Sequence, residues 1–77
     1  VALRKRWRTL DRSTVGTAPD RFGYYELGDD DGTVVDSGVG VLRDALKDAL
    51  GYSRAEKVRW AEATSREHAD RIADEHR

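Results

Sequence analysis

Six basic residues stand within the first 21 positions, and the tightest group is Arg4-Lys5-Arg6-Trp7-Arg8. Cations spaced this closely suit phosphate groups, and an aromatic residue among them can stack on a base or anchor the segment. Arg12 continues the basic run, and Arg21, Arg43 and Arg59 extend the surface if the fold gathers them. The plainer reading is a solvated arm, or one paired with the acidic middle of the same chain.

Other groups carry less. Asp29-Asp30-Asp31-Gly32 resembles a calcium loop, but Leu27 and Gly38 stand where the pattern needs oxygen ligands, so a turn is expected. Gly38-Val39-Gly40 ahead of a helix could cradle a phosphate, yet the Lys-Ser/Thr of a nucleotide loop is missing; a tight turn is the better account. His68 and His76 lie eight apart on one helix, too far for one metal. No serine has a histidine at a suggestive spacing, and no cysteine exists, so nucleophilic triads have no basis. No metal or cofactor is expected.

A chain of 77 residues with 38% apolar and 38% charged residues makes one small domain with a thin core. Without cysteine, neither a disulfide nor cysteine-bound zinc can staple it. The apolar runs are too short for a transmembrane helix or a signal peptide, which points to a cytoplasmic protein with no membrane partner. Ten Asp to five Glu and eleven Arg to three Lys is the balance produced by GC-rich coding or salt adaptation. The chain begins at Val1 and contains no methionine, the start of either a mature chain or a fragment.

The formal net charge of −1 hides a polarity: residues 1–22 carry +4, residues 23–50 carry −5, and residues 51–77 balance. Such asymmetry suggests an anionic partner.

These residues must be positioned by a few short elements. Leu3 and Trp7 are four apart, as on one face of a helix, so residues 1–17 read as a basic arm with one or two helical turns. Residues 18–77 form the core. Aromatic-rich 22–27 and β-branched 33–37 flank the Asp/Gly turn and predict a β-hairpin, and alternation predicts that one of Tyr24 and Tyr25 is buried and the other exposed. Val41, Leu42, Ala45, Leu46, Ala49 and Leu50 form a helical stripe over 41–50, stopped at Gly51. Residues 54–77 fit one long helix by propensity. A capping box of Thr64 and Glu67 favours instead a strand over 57–62 and a helix over 65–76. The expected class is α+β: a three-stranded antiparallel sheet flanked by helices, in a single domain over 1–77.

This order, with Gly23-Tyr24-Tyr25-Glu26-Leu27 and Gly32-Thr33-Val34-Val35-Asp36-Ser37-Gly38 followed by Leu42 and Leu46, resembles the GIY-YIG nuclease domain. The resemblance spans residues 18–76 at most and is carried by 22–50. Small proteins of salt-loving archaea look most similar. Tyr25 resembles the tyrosine of the first motif, and Asp36-Ser37-Gly38 stands in place of the second, keeping only its glycine.

Active members use two tyrosines, a phosphate-steadying arginine and a metal-binding glutamate, because a phosphodiester must have its developing charge neutralised. In this chain the resemblance puts Ala45 at the arginine place and Ala73 near the glutamate place, with Arg43, Asp74 and Glu75 displaced from them. Tyr25, Asp36 and Gly38 are then relics of a lost site. The resemblance thus implies a non-catalytic domain that binds nucleic acid, RNA rather than DNA, or a ribonucleoprotein. Its contacts would be Arg4, Lys5, Arg6, Trp7, Arg8 and Arg12. The alternatives are a protein-interaction module using the acidic hairpin (Asp29, Asp30, Asp31, Asp36) or the face of the last helix, and a residual metal-dependent nuclease using Tyr25 and Arg43 with Glu67 or Glu75.

Overall fold

The computed structural model describes residues 3–76; Val1 and Ala2 of the basic arm, and Arg77, lie outside the described residues. The fold is α+β. Its elements in chain order are β1 (Arg8–Thr9), α1 (Arg12–Thr17), β2 (Phe22–Gly28), β3 (Val34–Val41), α2 (Leu42–Tyr52), β4 (Lys57–Glu62) and α3 (Arg66–His76). Four strands form one sheet in the order β1-β4-β2-β3, each neighbouring pair antiparallel. The hairpin, the strand over 57–62 and the two later helices stand where the sequence places them. The fourth strand, β1, was not expected.

β2 is the inner strand, and its alternation sorts the core into two layers. Tyr25 and Leu27 point to the face covered by α1 and α2, where they join Val15, Leu42, Leu46, Ala49 and Val58. Tyr24 points to the other face and packs with Leu3 and Ala73, with Val39, Ala61 and Ile72 alongside. Both tyrosines are therefore buried, at 1% and 9% exposure, contrary to the expectation of one facing outward. The reason is that α3 and the N-terminal segment cover the second face, so the inner strand β2 has no solvated side.

Three local expectations are corrected. The expected N-terminal helical turns are present as α1, but from Arg12 and not over residues 3–7; α1 is capped by Asp11, whose Oδ1 accepts from the Thr14 N–H at 2.8 Å. Gly38-Val39-Gly40 is no turn: it continues β3, opposite Tyr25, Tyr24 and Gly23. The strand runs straight into α2, whose first amides are taken up by carbonyls. Leu42 N–H donates to Arg21 O at 2.8 Å and Arg43 N–H to Pro19 O at 3.2 Å, so the two leading amides of α2 are already engaged and do not form a phosphate cradle. Gly51 does not stop α2, which ends at Tyr52 with Ser53 as its cap.

The remaining turns behave as their residue types require. Asp29 Oδ1 accepts from the Asp31 and Thr33 amides, both at 2.9 Å, and Gly32 takes the left-handed conformation, so the acidic loop is a turn. At α3 the capping pair is Ser65 with His68 rather than Thr64 with Glu67. Ser65 Oγ accepts from the His68 N–H at 3.2 Å, and His68 Nδ1 accepts from the Thr64 N–H at 3.0 Å. Among the described residues no helix is long and apolar enough to cross a membrane.

Candidate nucleic-acid interface

A buried carboxylate organises the basic segment. Glu26, on the α3 face of β2, is 1% exposed. Its Oε1 accepts from Arg59 Nε at 2.7 Å, and Arg59 stands directly across from it on β4. Oε2 accepts from the Tyr24 hydroxyl at 2.9 Å, and the Leu3 N–H donates to the same carboxylate at 3.1 Å. A charge this deep is tolerated only when paired and hydrogen-bonded, and here both oxygens are engaged.

Arg59 carries the arrangement outward. One guanidinium nitrogen donates to Lys5 O at 3.2 Å, and the guanidinium carbon lies 3.9 Å from the centre of the Trp7 ring. Trp7 also lies against β2. A Cβ on Gly28 would stand 2.7 Å from the indole, so only glycine lets the ring lie this close. Residues 3–7 are thus clamped on the sheet by one glutamate and one stacked tryptophan.

The clamp leaves the cationic side chains outward. Arg4, Lys5, Arg6 and Arg8 are exposed, and none is ion-paired among the described residues. β1 pairs only with Lys57 and Val58 of β4, and the chain before it departs from the sheet edge to cross the α3 face. At this fork a polar pocket of about 300 Å³ is lined by Lys5, Arg6, Arg8, Arg59, Trp60 and Glu62. The Arg8 guanidinium sits over the Trp60 ring, 4.9 Å from its centre. Cations around an aromatic wall can receive a phosphate with its sugar or base.

Of the sequence-predicted contacts, Lys5, Arg6 and Arg8 converge on this pocket. Trp7 acts beneath it as the anchor. Arg12 does not join them: it lies on α1 beside Arg43 and Lys47 of α2. Arg21 lies elsewhere again, next to Phe22, Ala63 and Thr64. Glu26, Arg59 and Trp60 complete the site. Arg59 was anticipated only as an extension, and Glu26 only within the −5 charge of residues 23–50 and the Gly23–Leu27 motif. One signal for Glu26 was available, a lone acid between Tyr25 and Leu27 in an otherwise apolar strand.

Of the residues matched to the nuclease motif, Tyr25, Gly38 and Ala45 share the α2 side of the sheet, while Ala73 lies on the other side. Tyr25 is opposite Gly38 in the sheet, and a Cβ on Gly38 would collide with the tyrosine hydroxyl and ring. That pair is an aromatic ring lying across a glycine. Asp36 is exposed on the outer strand, its Oδ1 accepting from the Ser37 N–H at 2.8 Å. Ala45 packs against the α2-side core, whereas Ala73 is buried beside Tyr24 and Leu3 on the opposite face of the sheet. Among the described residues no cluster of three or more His, Asp or Glu side chains is placed to hold a metal ion.

A family model covers residues 1–77, the whole of this chain. The chain belongs to the DUF7508 family. That family is described as a domain of unknown function, and nothing in the description links it to GIY-YIG nucleases. No curated protein and no solved structure matches the chain.

Proposed function

We propose that this DUF7508 domain binds nucleic acid without cleaving it, through the pocket at the fork between the N-terminal segment and β4. The observation that carries the reading is the convergence of four cations, Lys5, Arg6, Arg8 and Arg59, around Trp60, against the single acid Glu62. Phosphates would meet the three exposed cations, and Arg59, already committed to Glu26, would hold the platform rigid. Trp60 packs on the α2-side core with Arg8 over its ring. Arg8 moving onto a phosphate would free that ring face for a base, which favours single-stranded RNA, free or in a ribonucleoprotein, over duplex DNA. In this reading the fold is a GIY-YIG-like one acting in the cytoplasm, with Tyr25, Asp36 and Gly38 as remnants.

Fluorescence anisotropy with labelled single-stranded RNA and duplex DNA tests the proposal. The triple variant Lys5→Gln, Arg6→Gln, Arg8→Gln keeps Glu26, Arg59 and Trp7, so the clamp stays intact while the phosphate contacts go. RNA binding at low salt that the triple variant loses is the expected result. No binding by the parent chain would turn the surface over to a protein partner. Plasmid incubated with Mg²⁺ or Mn²⁺ should show no more cleavage than with Tyr25→Phe.

A further inference from the structure

A second group of cations surrounds a different kind of opening. α1 packs on α2, and a groove of about 570 Å³ runs between them. Its rim holds Arg12 from α1 with Arg43 and Lys47, one turn apart on α2. Arg43 Nε donates to Ala18 O at 3.2 Å, which fixes the guanidinium at the rim. Among the described residues none of the three has an acidic partner, and no acidic residue lines the groove. Beneath the rim the groove has Val15 and Leu50 as its apolar surface.

Gly16 of α1 and Gly51 of α2 complete the lining, and neither is a glycine for backbone reasons. Gly32 is the described glycine with positive φ, so both helical glycines have conformations open to any residue. Neither is demanded by packing, because a Cβ at either position meets no atom within 4 Å. Glycine in a helix is less stable than alanine, so each position forgoes helix stability and gains open space. Both spaces open on the same groove.

We infer that this groove binds a small amphiphilic anion, with a carboxylate, sulfonate or phosphate at Arg12, Arg43 and Lys47 and a flat or short apolar body on Val15 and Leu50. The volume lies within the range of small-molecule sites, roughly 300–1,000 Å³. Three uncompensated cations select the charge, and the apolar surface selects against inorganic phosphate or a bare sugar phosphate. The groove is lined by none of the residues around Trp60, so the inference stands apart from nucleic-acid binding.

Fluorescence titration of the full chain with 8-anilinonaphthalene-1-sulfonate tests it. The folded protein should bind the dye saturably at one site. Lys47→Gln should weaken binding about threefold, the scale of one partly exposed charge contact. Gly51→Leu should abolish it, and Gly51→Ala should weaken it while raising the melting temperature. Naphthoate and naphthyl phosphate should displace the dye, uncharged naphthol should not, and the better competitor tells carboxylate from phosphate. Affinity unchanged in both Lys47→Gln and Gly51→Leu overturns the inference. So does displacement of the dye by RNA, which would assign the groove to the nucleic-acid surface.

Discussion

Glu26 and Arg59 face each other across β2 and β4 with 2.7 Å between Oε1 and Nε, and this contact fixes where the basic segment lies. The pair is buried on the carboxylate side and 12% exposed on the guanidinium side. Through it, Leu3 and Lys5 are held by their backbones, while the side chains of Lys5, Arg6 and Arg8 remain available. The chain's charge polarity is therefore used twice. One acid of the acidic middle anchors the arm, and the cations of the arm face outward.

Glu26→Gln should destabilise the domain by about 3–5 kcal/mol, since one partner of a buried pair is lost and the other remains. Urea unfolding followed by tryptophan fluorescence measures it, with Arg59→Met as the companion variant. A coupling energy near zero in the double-variant cycle would mean that the pair does not hold the segment.

Gly38→Ala places a methyl group against the Tyr25 ring and should cost about 1–3 kcal/mol, typical of overpacking a filled site. Combining it with Tyr25→Ala removes the collision, so the two changes should be strongly non-additive. An additive result would show that the ring does not lie across the glycine.

The hairpin and the helices were legible in the sequence because their signals are local. Aromatic and β-branched residues flank an Asp/Gly turn, and apolar residues at helical spacing mark α2 and α3. The clamp was not legible, because it joins Leu3, Tyr24, Glu26 and Arg59, which meet only through strand pairing and the crossing of the arm. Leu3 and Trp7 have helical spacing but are placed by long-range contacts with Tyr24 and Arg59 instead. The exposed tyrosine was expected for a sheet with one solvated face, and the second cover defeats that rule. Gly38-Val39-Gly40 carries turn residues, yet Gly38 serves the Tyr25 ring within a strand.

Glu56 makes stability depend on pH. Hydrogen bonding with Asp30 and repulsion from it, then desolvation and repulsion from Asp29, raise its pKa from the ordinary glutamate value, against the opposing pull of Lys57. A raised carboxyl pKa in the folded state means a contribution that is complete at acidic pH and lost as pH rises through the raised value. Glu56→Gln should therefore melt higher than the parent near neutral pH, and the advantage should vanish below the ordinary glutamate range. Thermal scans at the two pH values measure the difference. An advantage that grows towards acid would have the wrong sign.

Phosphates held by Lys5, Arg6 and Arg8, as proposed, would show in the salt dependence of RNA binding. Three neutralised phosphates on a single strand give a slope of log K against log salt near −2, about −0.7 for each contact. Each single Gln variant at Lys5, Arg6 or Arg8 should make the slope shallower by about 0.7, while Lys47→Gln should leave it unchanged. Absence of binding at low salt, or a slope that the three arm variants do not alter, would mean that these cations do not hold phosphates.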